Sequence, residues 1–317
     1  MRVAAIDCGT NSIRLLVADV DGPHLTEVVR EMTIVRLGEG VDRTGAFSPA
    51  ALERTFAACD AYAATLSRTG VERLRFVATS ASRDASNRAA FVDGVVARLG
   101  ATPEVITGDE EARLSFTGAV LGLDRRIVAT PPLVVDIGGG STEFVLGRSG
   151  EAAPVGLDGP AVEASVSVDI GCVRMTERHL RDDPPTDEQI ARVEADIAEA
   201  LARAAGTVPL GRARSLIGVA GTVTTVVALA RGLPAYDPAM IHGQVATAAE
   251  VERITAELLA MPRAERAALP VMHPGRVDVI AGGALVLRAI MRLTGLDVVA
   301  SETDILDGVA RELAVRG

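Results

Sequence analysis

Asp7 and Asp136 each end an apolar, β-rich run and open a turn built from glycine and small hydroxylated residues. The first stretch reads Val3-Ala-Ala-Ile-Asp7-Cys-Gly9-Thr10-Asn11-Ser12; the second reads Leu133-Val-Val-Asp136-Ile-Gly138-Gly139-Gly140-Ser141-Thr142-Glu143. Laid over one another at an offset of 129 positions, Gly9 falls on Gly138 and Ser12 on Ser141. Successive backbone N–H groups in such a turn, with no Cβ in the way, form a concave anion site. The hydroxyls of Thr10, Ser12, Ser141 and Thr142 add donors. Two such turns, each with a carboxylate at its lip, suit two half-sites facing one metal-bound polyanion.

Asp136 ends a run expected to be a buried strand, and Glu143 lies seven residues on in the returning one. A carboxylate in such a place is costly unless it is paired or bound to a cation. Magnesium keeps several waters and takes one or two carboxylates, so it fits Asp136 with Glu143. Asp7 is either a further ligand of this kind or a cap on its own turn. Arg83 follows a predicted strand and a Ser/Thr-rich turn, a place for a guanidinium that grips a phosphoryl group bidentately; Arg88 and the Arg125–Arg126 pair read as solvated. Glu110 and Glu111 open a helix, where the dipole favours carboxylates anyway. Neighbours on a helix point about 100° apart, so at most one of them faces a site.

The bulk properties narrow the classes. A chain of 317 residues is long for one core, which predicts two domains. With 48% hydrophobic and 23% charged residues the composition is that of a soluble globular protein, and a formal net charge of −10 argues against general binding to nucleic acid or anionic membrane. Cys8, Cys59 and Cys172 have neither paired nor metal-type spacing, which predicts a reduced, cytoplasmic protein. Cys8 reads as a small buried residue. His24, His179, His242 and His273 show no ligand spacing and read as structural. No signal peptide opens the chain, and the uncharged stretch 216–230 is too short to span a membrane.

The elements repeat a plan. In the first half, strands surround the Gly9 turn and continue through Leu25–Leu37. Ser48-Pro49 starts a helix with Leu52, Phe56, Cys59 and Leu66 on its apolar face. A strand at Leu74–Ala78, a helix from about Asp84 to Leu99, a strand near Glu104–Ile106 and a helix to about Leu121 follow. In the second half, strands flank the Gly138 turn and another covers Glu163–Ile170. Capping boxes at Thr186/Gln189 and Thr247/Glu250 open helices, Ser215–Val219 is a strand, and Gly282-Gly283 in the helix Val277–Met291 marks a close backbone approach. This predicts two related α/β domains with a cleft between them, residues 1–125 and 126–300, and a last helix within 301–317 that returns to the first.

Asp7-x-Gly-Thr-Asn-Ser, Gly108-x-Glu-Glu-Ala, Asp136-Ile-Gly-Gly-Gly-Ser-Thr-Glu143 and Gly218-x-Ala-Gly-Thr, in this order, resemble the exopolyphosphatase / guanosine pentaphosphate phosphohydrolase family. That family belongs to the superfamily of sugar kinases, actin-like proteins and Hsp70 ATPases. The resemblance runs from residue 3 to about 312 and implies ribonuclease H-like (actin-like ATPase) domains. It also implies metal-assisted attack of water on the terminal phosphate of inorganic polyphosphate, or of guanosine pentaphosphate to give the tetraphosphate. Matching the motif selects Glu111 as the base, points to Asp136 and Glu143 as important acidic residues, and places an arginine at Arg83. An ATPase or kinase, and a non-catalytic polyphosphate or alarmone sensor, are the rival readings, and a homodimer is left open. Gly221-Thr222 matches a nucleotide-contacting turn of related ATPases. Longer members add a C-terminal helical region that this chain lacks, which favours short polyphosphates.

Overall fold

The computed structural model describes residues 1–22, 24–124, 126–148 and 161–315; Arg125 lies outside them. The chain divides into two compact units. The first runs Met1–Gly118 and takes in the chain again from Ile305; among the described residues the second comprises 119–148 and 161–304. The passage from one unit to the other thus comes inside a helix, ahead of the 125/126 division drawn from the sequence.

The first unit contains β1 (Arg2–Cys8), β2 (Ser12–Asp21), β3 (His24–Ile34), α1 (Val41–Thr44), α2 (Pro49–Thr69), β4 (Arg73–Ala78), α3 (Ser80–Asp84), α4 (Arg88–Leu99), β5 (Glu104–Val105) and the start of α5 (Gly108–Gly122). Its sheet has the order β3-β2-β1-β4-β5. β1–β3 are antiparallel, and β4 and β5 join in parallel. Alternation along β1 divides the core in two. Ala4, Ile6 and Cys8 pack with Phe76 beneath α2 and α4, while Val3 and Ala5 pack against Ile305, Leu306, Val309 and Ala310 of the last helix.

The second unit contains β6 (Pro132–Ile137), β7 (Thr142–Arg148), β8 (Ala161–Val168), α6 (Cys172–His179), α7 (Asp187–Thr207), β9 (Ser215–Val219), α8 (Ala220–Ala230), α9 (Pro238–Ile241), β10 (Val245–Ala246), α10 (Ala248–Ala260), α11 (Arg263–Ala268), α12 (Ile280–Thr294) and β11 (Val298–Ala300); α13 (Ile305–Val315) closes the chain in the first unit. The strand order β10-β11-β9-β6-β7-β8 repeats the first sheet, read from the other end, with β10 added at the edge. The duplication reaches the register. The register shifts between Val17 and Ala18 of β2 and between Leu146 and Gly147 of β7, again 129 positions apart, with the extra residue, Val28 or Glu163, on the partner strand.

Local chemistry explains where the elements start and stop. Ser48 caps α2 by accepting from the Ala51 amide, with Pro49 in the first turn. The buried face of α2 is set by small residues as much as by large ones: Ala51, Thr55, Ala58, Cys59, Tyr62 and Thr65 are inside, whereas Leu52, Phe56 and Leu66 are only partly covered. The helix expected from Asp84 is interrupted at 85–87. There the Asn87 side chain pairs with both the N–H and the carbonyl of Phe47 and holds the chain out of helical conformation. Thr247 and Glu250 form a reciprocal capping box. Thr186 accepts from the Gln189 amide, but the Gln189 side chain turns to the backbone of Arg181 and Asp182, so that box is half made. Gly282 and Gly283 admit neighbours: a Cβ on them would sit 2.6 Å from Thr176 Oγ1 and 2.4 Å from Thr222 Oγ1.

Candidate active site

The two glycine turns are built alike. Gly9 N–H donates to the Ser12 carbonyl at 2.9 Å and Gly138 N–H to the Ser141 carbonyl at 3.0 Å. These two amides close their own turns, which removes them from the set of outward donors expected from the sequence. What aims the remaining amides is the fixing of the turn carbonyls. The Thr10 carbonyl accepts from Gly38 N–H (2.8 Å), and the Asn11 carbonyl from Val35 N–H (3.1 Å) and Arg36 N–H (2.9 Å). In the second unit the Gly138 carbonyl accepts from Cys172 N–H, and the Gly139 carbonyl from the N–H groups of Val173 and Arg174, at 2.9–3.0 Å. A trans peptide directs its N–H opposite to its C=O. With the carbonyls turned towards the protein, the amides of Asn11 and Ser12, and of Gly139 and Gly140, are turned away from those anchors.

Close packing holds each turn in place. A Cβ on Gly38 would lie 2.3 Å from the Thr10 methyl, and one on Gly171 would lie 2.5 Å from the Gly139 carbonyl oxygen. Gly9 is a different case. A Cβ there would meet nothing closer than 3.7 Å, so the fold itself does not demand glycine at that point. Thr142 departs from the donor role: it is fully buried and its hydroxyl proton goes to the Ile170 carbonyl at 2.6 Å.

The carboxylates differ between the repeats. Asp7 stands opposite Arg14 in the β1–β2 register and accepts from its Nη2 at 2.5 Å and its Nε at 3.2 Å. Asp136 stands opposite Glu143 in the matching β6–β7 register. Asp136 is 8% exposed and Glu143 1%, and Glu143 Oε1 accepts from Ser167 Oγ at 2.6 Å. Like charges directly across a strand pair repel one another. Two hard, buried oxygen donors side by side form a set that fits a divalent cation retaining waters. No cluster of three or more His, Cys, Asp or Glu suited to a metal occurs among the described residues, and magnesium does not require one.

Glu110 and Glu111 are adjacent in the first turn of α5, which Thr107 caps through the Glu110 amide. Their side chains go to different arginines. Glu110 joins Glu104 on the buried Arg75, each at 2.7 Å. Glu111, 8% exposed, accepts from Arg83 Nη1 at 2.7 Å, and the same nitrogen donates to the Ile106 carbonyl at 3.2 Å. Glu110 is therefore part of the scaffold, whereas Glu111 is held beside a guanidinium that is itself partly exposed.

Other candidates resolve into structure. Burial pushes the Cys8 thiol well above its ordinary value, Cys59 up to about 12 and Cys172 up to about 11, so none is poised as a thiolate. His179 contacts Asp196, His242 contacts the Gly122 carbonyl and the Glu302 amide, and His273 Nδ1 accepts from Gly275 N–H. Arg88 is exposed, and Arg126 pairs with nearby Asp124. At Gly221 a Cβ would lie 2.3 Å from the Arg276 guanidinium carbon, and that side chain reaches Thr225 and lies over Tyr236.

A profile of the Ppx/GppA phosphatase family matches residues 16–311. The chain belongs to that family. It is 49% identical to Exopolyphosphatase 2 of Mycobacterium tuberculosis over 327 aligned residues, covering 99% of this chain and 98% of the relative. The crystal structure of an exopolyphosphatase-like protein superposes with a TM-score of 0.93 at 45% identity, over 98% of this chain and 97% of that one. The Ppx/GppA family member of Aquifex aeolicus superposes at 0.79 with 28% identity, covering 100% of this chain and 98% of its own. The two-domain actin-like ATPase fold and a hydrolytic family are thereby established. Of the residues that contact the two turns and their acids in this Ppx/GppA chain, the sequence reading passed over Arg14, Ser167, Gly171 and Arg174. Only Arg14 carried a signal, since it lies seven residues after Asp7 as Glu143 does after Asp136.

Proposed function

We propose that the chain is an exopolyphosphatase that releases orthophosphate from the end of inorganic polyphosphate. The observation that carries the reading is the Arg83–Glu111 pair, a near-buried carboxylate 2.7 Å from a guanidinium that keeps solvent access. Phosphoanhydride hydrolysis requires neutralised oxygens, an aligned water and an acceptor for its proton. Glu111 Oε orients the water and takes its proton. Arg83 grips the terminal phosphoryl group. The amides of Asn11, Ser12, Gly139 and Gly140, with the Thr10, Ser12 and Ser141 hydroxyls, hold phosphate oxygens. Asp136 and Glu143 hold Mg²⁺, which supplies charge neutralisation when bound. The near full-length likeness to a protein named Exopolyphosphatase 2 supports polyphosphate as the substrate.

The test is phosphate release from short and long polyphosphate, guanosine pentaphosphate and ATP by the same preparation in Mg²⁺. Polyphosphate is expected to be turned over with the highest kcat/KM. Faster release from guanosine pentaphosphate would move the substrate assignment to the alarmone, and ADP formation from ATP outpacing both would replace the reading with an ATPase.

A further inference from the structure

The repeats offer a comparison at the turn carbonyl that precedes each central serine. In the first unit this is the Asn11 carbonyl, which accepts two backbone amides, those of Val35 and Arg36. Arg36 reaches it with φ at 48°, a left-handed conformation uncommon for a residue with a Cβ. In the second unit the corresponding carbonyl, 129 positions on, is that of Gly140. It accepts from a side chain, Arg174 Nε–H, at 2.6 Å. The Arg174 side chain is only 10% exposed, and its Nη2 stands 3.9 Å from Asp169. Its own amide and that of Val173 already hold the Gly139 carbonyl. One residue at the start of α6 thus fixes two consecutive peptides of the turn.

We propose that Arg174 is a positioning residue for phosphate binding, resting on the reading that the Gly138–Ser141 turn takes phosphate. By holding the Gly140 carbonyl it turns the Ser141 N–H of the same trans peptide outward. A charge-assisted bond of this length is stronger than a neutral one. The first unit reaches the same end with backbone donors, which no side-chain substitution short of proline removes; in the second the function is concentrated in one side chain. Arg174 acts through the Gly140–Ser141 peptide and touches no substrate.

The test compares wild type, Arg174→Gln, Arg174→Lys and Gly139→Val in Mg²⁺, with tripolyphosphate as substrate and orthophosphate as product inhibitor. Losing one aimed amide is worth about 10-fold in binding. KM and the orthophosphate Ki of Arg174→Gln are expected to rise together by about that factor, with kcat within about threefold, the signature of lost uniform binding. Arg174→Lys, which keeps a donor, is expected to fall between. Should Arg174→Gln fail to fold, an Arg174→Lys variant with unchanged KM and Ki would overturn the proposal. A lower Tm for Arg174→Gln with unaltered KM and Ki would overturn it too, leaving Arg174 as ordinary packing. Gly139→Val separates the two levels. If it leaves KM unchanged, the phosphate-turn reading itself fails, and the proposal with it. If it raises KM while Arg174→Gln does not, only the role of Arg174 fails.

Discussion

Replacing Glu111 by glutamine asks whether two neighbouring carboxylates on one helical turn have been given different work. The amide keeps the size of the side chain and an oxygen that can accept from Arg83 Nη1, now 2.7 Å away. What is lost is charge and basicity. The pair is partly buried, with side-chain exposures of 24% and 11%, so the stability change is expected near 1 kcal/mol. A general base contributes about 10²–10⁴-fold, or ~3–5 kcal/mol of barrier. Turnover should therefore collapse while the protein stays folded, and KM should stay level because Arg83 remains. Glu110→Gln is the matched control. Arg75 would keep Glu104 at 2.7 Å, with Glu312 at 3.6 Å, so a comparable loss of stability is expected with kcat inside a factor of about three. The assay is orthophosphate release from polyphosphate beside thermal unfolding of both variants. Equal losses of rate in the two, or a Glu111→Gln enzyme keeping a third of its turnover, would refute the division of roles.

Gly171→Ala drives a Cβ to within 2.5 Å of the Gly139 carbonyl, which is backbone and cannot rotate aside; a loss of about 1–3 kcal/mol in urea unfolding and a raised KM are expected. Chelation should abolish turnover, and Mg²⁺ should raise the Tm of wild type by mass action but not that of Glu143→Gln, as read by thermal unfolding. The three buried thiols should react with a thiol-specific disulfide reagent at pH 8 at least ~100-fold more slowly than free cysteine, and all should react once the chain is unfolded. Burial alone would push the Asp196 carboxyl up, but hydrogen bonds from His179 and Arg178 outweigh it and hold it below its ordinary value. A depressed folded value means stability present above about pH 4 and lost as the pH falls through that lower value. Asp196→Asn should therefore be the less stable protein at pH 7, by under about 1 kcal/mol given its exposure, and the gap should close in acid.

Much of the fold was legible because strand–turn–strand segments repeat, with Asp7 matching Asp136 and Gly9 matching Gly138. Capping residues such as Ser48 and Thr247 marked helix starts through local bonds that the sequence displays. Where the reading slipped, a distant partner decided the outcome. Asn87 leaves the helix because Phe47, 40 positions earlier, offers its backbone. Thr142 gives its proton to Ile170, and nothing within the Ser-Thr-Glu string reveals that. The direction of an amide was equally hidden, since it depends on which carbonyl is held. The donors that hold them, on 35–38 and at the start of α6, lie well away from the turns in sequence. Glu110 and Glu111 are an intermediate case, for helix geometry required them to diverge but could not say which arginine each would meet.

The repeats also show how one backbone plan supports two chemistries. In both sheets an aspartate is the last residue but one of a central strand, and a residue seven positions later stands directly across from it. Arginine at that point gives Asp7 a partner of opposite charge, bonded to its Oδ2. Glutamate at the same point sets Glu143 directly across from Asp136, two buried carboxylates whose like charges a cation would neutralise. On the proposed reading, this single cross-strand position separates a turn whose aspartate pairs with an arginine from one whose two acids would hold a metal. On that argument Glu143→Arg, which copies the first repeat into the second, should fold on the same backbone and lose Mg²⁺-dependent stabilisation. If Mg²⁺ still raised its Tm as much as it raises that of wild type, the metal site would have to be sought elsewhere.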